Sequence, residues 1–492
     1  MSDVTPVPVA ESKSPPVGEV GREHRLPQGA LGLLDISAAT MANVAPAMSF
    51  YFGFGFLAFT AGVASPLTIL AAGVAIAFLA NTLSEFAKVI PSTGGFITFV
   101  GKTFGPTSAV TTALLAGLGY ITAMASVIAI SGGFLTIILK YYFGWNVPWG
   151  IFTVLLCAAA VAMMIRGVSI STRVAGTFFG FELVVLVIVA IASIVKHASH
   201  LSATPFEPSH ITNGFSGLAA GFPLAIYLFI GWENSAALAE ETDNPRRNVP
   251  RAVFLSVGVM VVSYLLFAYS TVVGFGYNVK SLSGAAIPFI SVAHSTIGLF
   301  VLFAYLAGMT STLGALIAGT NSQARLVFNS GREGLLPSWV GRVDPGRRTP
   351  VHAIFTFVGI SLAIIGGWAA FDAAQGKHLQ LNPVNFFAES STLGTILVLL
   401  VYLAANLALP FFIHKNKPDS FNPVKHGVLP ILGAASIVVP LYYLSKPGQV
   451  SPYNWYPYVA LVILVLSILY AMSLTRRDPT LAERVGSIVA DE

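Results

Sequence analysis

Long apolar runs separated by short polar ones dominate this chain. Twelve segments approach the roughly 20 consecutive apolar residues that a helix needs to cross a bilayer core. They are 30–54, 57–81, 107–139, 148–165, 175–195, 215–238, 251–276, 287–320, 351–370, 386–413, 428–444 and 455–474. The run at 107–139 is long enough to cross at a tilt. None shows the period-two alternation of a half-buried strand, and a strand satisfies its backbone in lipid only within a closed barrel. The pattern predicts an all-α polytopic membrane protein with 12 transmembrane helices.

Composition agrees. Of 492 residues, 55% are hydrophobic and 10% charged, against about 25% charged in soluble domains. The single cysteine, Cys157, lies in an apolar run, which excludes a disulfide within the chain and reads as a packing thiol. Residues 1–27 are polar and proline-rich, with no apolar stretch or cleavage pattern of a signal peptide. They are expected to form a disordered cytoplasmic tail; residues 475–492 are expected to be a cytoplasmic C-terminal tail.

The net charge of +5 gains meaning from its distribution. On the twelve-span scheme, 21 of the 26 Lys and Arg residues fall on one side; the other side holds Lys140, Lys196, Lys280, Lys377 and Lys446. The positive-inside rule then places both termini in the cytoplasm of a plasma (inner) membrane protein. The basic face also suits anionic membrane lipid, although topology alone accounts for it. No nucleic acid partner is expected.

Two spans carry break signals. The first reads "GLLDISAATMANVAPAMSFYFGFGF". Pro46 removes a backbone donor in mid-span and leaves the carbonyl of Ala42 without its helical partner. Its neighbours Ala42, Asn43, Ala45 and Ala47 are small enough for a ligand to reach the backbone. A helix starting near Pro46 would turn its positive end to that ligand and favour an anionic group. The alternative is a lipid-facing proline kink. The sixth span reads "GFPLAIYLFIGWENSAALAEE". Gly231 permits a break, with Phe229 and Trp232 as walls. Glu233 is a carboxylate at a depth where charge is costly, which marks a site by default; the alternative is snorkelling or pairing with a loop arginine. Breaks in the first and sixth spans fit an inverted repeat, 28–196 and 211–413, with two helices at 428–474 appended to complete one domain at 28–474. After the sixth span, Asn244-Pro245 is expected to stop the helix, with Glu240 and Glu241 paired to Arg246, Arg247 and Arg251.

The stretches "LSEFAKVIPSTGGFITFVGKTFGP" (Leu83–Pro106), "FIGWENSAALAEETDNPRRNVPRAV" (Phe229–Val253) and "ARLVFNSGREGLLPSWVGRVDPGRRTP" (Ala324–Pro350) together resemble one family, the amino acid–polyamine–organocation (APC) permeases. The resemblance spans about 28–475. It implies a five-plus-five inverted-repeat (LeuT-like) transporter that works by alternating access. It also implies a substrate held at the two breaks, on Asn43, Val44, Ala45, Pro46 and Ala47 and on Phe229, Ile230, Gly231 and Trp232, with Glu233 beside them. Two positions depart from the family pattern. The first break reads Met-Ala-Asn-Val-Ala-Pro where the family usually has Gly-Ser-Gly. Glu182 in span 5 stands where proton-coupled relatives often carry a lysine, and it is a candidate for ion coupling, for an amine substrate or for a structural hydrogen bond.

Ser311 and Thr312 of span 8, beside Thr310, are expected either to complete a sodium site against span 1 or to bond within their own helix. Tyr120 of span 3 lines the pocket or packs in the interior. Asp35, with Glu240, Glu241 and Arg325, is assigned to the inner gate or its supporting structure. Glu85 with Pro91 and Gly94-Gly95 is expected to shape an inner loop rather than touch substrate, and His294 to be a satisfied histidine. No His-rich metal cluster, phosphate loop or nucleophile elbow is present in the sequence, so neither an enzyme nor a metal cofactor is expected. The expected function is import of an amino acid coupled to protons, with sodium as the other coupling ion. The alternatives are an amine or polyamine importer or exchanger, and a nutrient sensor on a transporter scaffold. The sequence leaves the oligomeric state open.

Overall fold

Prolines and glycines set where the helices begin and end. The computed structural model describes Leu26, residues 28–374 and 382–488, and Ala490. Apart from Leu26, the expected N-terminal tail lies outside the described residues, as does Lys377. The helices in chain order are α1 (Leu33–Val44), α2 (Pro46–Ala61), α3 (Ser65–Val89), α4 (Phe96–Phe104), α5 (Pro106–Phe143) and α6 (Trp149–Ile165). Next come α7 (Val168–Lys196), α8 (Gly214–Tyr227), α9 (Asn234–Ala237), α10 (Pro245–Gly274), α11 (Val279–Gly284) and α12 (Pro288–Ile297). The last are α13 (Val301–Arg332), α14 (Val351–Ala374), α15 (Pro383–Asn416), α16 (Leu429–Ser445), α17 (Tyr456–Arg477) and α18 (Leu481–Arg484). Five of them, α2, α5, α10, α12 and α15, start on a proline, whose missing N–H costs nothing at the first helical position.

Among the described residues, nine helical stretches are long and apolar enough to cross a membrane. One of them, Leu33–Val89, runs 57 residues. Straight, it would measure about 85 Å at ~1.5 Å per residue, far more than a bilayer core of about 30 Å. It is interrupted at Ala45 and again by a tight turn at Gly62–Ala64. Two shorter apolar helices are α6 and α8. The only β pairing among the described residues is an isolated parallel bridge between Leu31 and Thr242. Large apolar side chains face outward, among them Phe59, Val195, Val262 and Leu299, an exposure that suits lipid rather than water.

The predicted segments lie largely on helical chain, and two boundaries bear on the breaks. The first two segments were expected to part near residue 55; the turn comes at Gly62–Ala64. The sixth segment was expected at 215–238, with Asn244-Pro245 stopping its helix. Instead α8 ends at Tyr227, and Pro245 opens α10 behind Asn244 in the left-handed region. The proline signal was real, but it marks a start.

The longest helix, α5, packs along α15, and α13 packs along α7. Small residues allow the close approach. A Cβ on Gly394 would come within 2.6 Å of the Gly119 carbonyl, the kind of contact that drives helix association where lipid removes the hydrophobic term. Helix α1 is enclosed by α7, α10 and α13, which places its broken end in the centre of the molecule.

Candidate functional site

The first break is a single residue. Ala45 adopts φ 52° and ψ 68°, Val44 ends α1, and Pro46 begins α2. A left-handed alanine costs about 1–2 kcal/mol. Local bonds offset it: Ser49 Oγ donates to the Val44 carbonyl at 2.8 Å, and the Ala45 N–H still reaches Met41 O at 3.1 Å.

The new N-terminus of α2 does not point into open space. The Ala47 N–H donates to Glu182 Oε2 at 3.2 Å, and the Met48 N–H donates to Ser311 Oγ at 3.0 Å. Glu182 comes from α7 and is 1% exposed; Ser311 comes from α13. A side-chain carboxylate therefore sits where the positive end of a helix attracts an anion. Thr312 turns its hydroxyl to Met309 O, and Thr310 to Ala307 O, both on their own helix.

The second break is longer. From Leu228 to Glu233 the backbone makes successive three-residue turns, including Ile230 N–H to Tyr227 O at 3.1 Å and Asn234 N–H to Gly231 O at 3.1 Å. The Leu228 carbonyl receives the Tyr264 hydroxyl at 2.7 Å. Gly231 has φ +105°, and a Cβ there would lie 2.7 Å from Asn43 Nδ2. Both the backbone and the contact require glycine. The two breaks meet here, with Asn43 Nδ2 3.5 Å from the Gly231 carbonyl.

Glu233 sits just past that contact and is buried. Its Oε1 accepts the Tyr120 hydroxyl at 2.7 Å, and its Oε2 accepts the Gly231 N–H at 3.2 Å. Trp232 packs between Phe96 and Tyr402, with ring centroids 6.1 and 5.7 Å away. A small cavity lies between this layer and the arginine-rich end of the molecule. Asn43, Tyr120, Glu233, Asn234 and Gln323 line it, together with the Gly94-Gly95 turn.

Buried ion pairs close the arginine-rich end. Arg325 and Glu241 form a two-point pair, each 1% exposed, with Nη2 to Oε1 at 3.0 Å. Arg332 Nη2 donates to Glu240 Oε2 at 2.6 Å. Glu240 Oε1 also accepts the Leu26 N–H at 2.8 Å, and the Glu240 N–H reaches Thr93 Oγ1 at 3.3 Å. Between Leu31 and the end of the second break run two backbone bonds, Leu31 N–H to Glu241 O and Asp243 N–H to Leu31 O, both 2.9 Å. The described part of the C-terminal segment docks at the same end. Leu481 and Val485 are buried, and the Ala490 N–H donates to Pro91 O at 2.9 Å. The buried Glu333 carboxyl accepts the Asn329 amide at 3.1 Å, and burial pushes it up to about 7.

The amino acid permease family profile matches residues 31–468. The chain belongs to the amino acid permease family. Among its relatives is the branched-chain amino acid permease BcaP of Bacillus subtilis (strain 168), 24% identical over 433 residues, 84% of this chain and 87% of the relative. Another is cationic amino acid transporter 4 of Homo sapiens, 26% identical over 421 residues, 79% of this chain and 62% of the relative. A similar solved structure is the Eremococcus coleocola manganese transporter, in complex with an aromatic bis-isothiourea substituted compound. It has TM-score 0.54 and 11% identity over 93% of this chain and 99% of that one, a likeness of fold alone. The family is one of transporters, not of enzymes.

Within this permease, Asn43, Gly231, Tyr120 and Glu233 come together, and Glu182 and Ser311 meet the first break from the other side. Val44, Ala45, Pro46 and Ala47 are buried at the break without lining the cavity, and Phe229 packs edge-on against Tyr264 at 5.3 Å. Ile230 is half-buried. One expectation is corrected. Glu240 and Glu241 pair with Arg332 and Arg325 of α13, not with Arg246, Arg247 and Arg251; Arg246 instead donates to Val89 O at 3.0 Å. Asp35 accepts the Gly32 N–H at 2.9 Å and caps α1, with no ion pair among the described residues. The Gly94-Gly95 turn reaches the cavity, while Glu85 stays apart, bonded to Lys88 at 2.6 Å and His426 at 3.1 Å. His294 packs against the rings of Tyr141 and Tyr305. Sequence reasoning missed Asn234, Gln323, Tyr264 and Tyr402. The only signal for them was a polar or phenolic group inside an apolar span.

Proposed function

We propose that this permease imports an amino acid across the plasma membrane by alternating access, driven by protons through Glu182. The observation that carries the reading is the meeting of two helix breaks at Asn43 and Gly231, flanked by two buried carboxylates. The relatives named for branched-chain and for cationic amino acids support the substrate class. In this reading the chain makes twelve crossings. The 57-residue stretch counts twice, and α6 and α8 count once each. The arginine-rich end and both termini face the cytoplasm, and spans 1–5 and 6–10 form the inverted repeat.

The coupling follows from geometry. A substrate carboxylate seeking the α2 N-terminus meets Glu182 already there. Two like charges at one helix end repel, so substrate and a proton bind together, and each strengthens the other.

The test is uptake by the purified protein in proteoliposomes, in sodium-free buffer, with and without an inward proton gradient. Labelled neutral, acidic and basic amino acids are offered beside putrescine and ethanolamine. Gradient-stimulated amino acid uptake is expected; uptake indifferent to the proton gradient, or seen only when sodium is added back, would overturn the coupling scheme. A second reading, an amine or diamine importer, draws on the same contact, since a helix end already capped by Glu182 needs no substrate carboxylate. Uptake confined to putrescine and ethanolamine would favour it.

A further inference from the structure

The cavity beside Glu233 carries more acceptors than the protein uses. Each Glu233 oxygen receives one donor, Tyr120 or the Gly231 N–H, and keeps a lone pair free. Asn234, 3% exposed, leaves both Oδ1 and Nδ2 without a hydrogen-bond partner among the described residues, and Gln323, 8% exposed, leaves Oε1 without one there. Each buried orphan costs about 1–3 kcal/mol, and folded proteins resolve such groups with water, an ion or a ligand. Among the described residues no lysine or arginine lines the cavity, and Glu233 has no ion pair. The space measures about 20 Å³, room for about one water-sized group and too little for a whole amino acid.

We propose that Glu233, Asn234 and Gln323 form a subsite for one water-sized monocation, an ammonium group or a monovalent metal ion, on the arginine-rich side of Trp232. A single water would answer the hydrogen bonds, but an ionised Glu233 would still lack a counter-charge. A monocation answers both, with Glu233 supplying charge and the two amide oxygens supplying neutral ligands. The inference rests on the transporter reading only for its place on the transport path.

The experiment uses the purified full chain in nanodiscs, titrated at constant ionic strength with sodium chloride or ammonium chloride against N-methylglucamine chloride. Tryptophan fluorescence and unfolding temperature are the readouts. A saturable response to sodium, to ammonium or to both is expected, with none to N-methylglucamine. A response to sodium alone identifies a metal site; one to ammonium alone identifies an amine site. Gln323→Leu and Asn234→Leu should each weaken the response at least tenfold, and Gln323→Glu should tighten it. No saturable response in the unaltered protein would leave a water in the cavity and overturn the proposal, as would unchanged affinity in Gln323→Leu or weaker binding in Gln323→Glu. Amino acid uptake by the same preparation separates the two ideas. A cation response without uptake sinks the transport reading and keeps the subsite; uptake without a cation response does the reverse.

Discussion

Glu182 caps the backbone N–H of Ala47 at 3.2 Å, so the helix begun by Pro46 is closed by a carboxylate from α7. If that carboxylate carries the coupling proton, Glu182→Gln should fix the protein in the equivalent of its protonated state. Stimulation of amino acid uptake by a proton gradient should fall at least tenfold, while counterflow between equal pools of substrate persists. Loss of both would give Glu182 a purely structural role. Complete loss of diamine uptake in a protein that otherwise imports diamines would move it into the substrate site.

Gly231 is required twice, by φ +105° and by the 2.7 Å that a Cβ would leave to Asn43 Nδ2. Gly231→Leu should stop uptake, at least a hundredfold, in a protein that still elutes as a single species and unfolds cooperatively. Normal uptake would refute the placement of substrate at the meeting point of the breaks.

The Arg325–Glu241 pair is 1% exposed on both sides. Removing one partner of such a pair costs about 3–5 kcal/mol, because a charge is left buried and alone. Glu241→Ala should therefore lower the unfolding temperature sharply. Arg325→Lys should not rescue the fold, since a lysine cannot make the two-point contact. The double substitution Arg325→Leu with Glu241→Leu should recover much of the loss. Equal instability of the single and double variants would mean that the pair's value lies elsewhere.

Docking of the C-terminal segment should depend on pH. Burial holds the Glu333 carboxyl at about 7, against 4.5 when free. Because the docked state binds the proton more tightly, its stabilisation is full below pH 4.5 and is lost as pH rises through about 7. Hydrogen-exchange protection of residues 481–488 should thus be greater at pH 5.5 than at pH 8. Glu333→Gln should abolish the difference; protection independent of pH in the unaltered protein would count against it.

Local chemistry was legible in the sequence and distant pairing was not. Pro46 and Gly231 act on their own backbone, so each announced a break where one occurs. The partners of Glu240 and Glu241 were misjudged because arginines lie within a few residues in the chain, whereas the actual partners lie 92 and 84 positions away. The stop expected at Asn244-Pro245 failed because proline is welcome at a helix's first turn and excluded from its interior, and the sequence alone does not say which applies. Asn234 and Gln323 stayed hidden because an amide in an apolar run looks the same whether or not its bonds are made.

The parallel bridge at Leu31 has a mechanical consequence. It rivets the lead-in of α1 to the strip that follows the second break, through two backbone bonds of 2.9 Å. These two pieces form one lever, and what latches the lever to α13 is the pair of arginines, 325 and 332. A motion that opens this end while sparing the rivet must unlatch both arginines together. The threshold for that motion is then set by two ion pairs, and substitutions at either should shift how often the end stands open before they change what the protein carries.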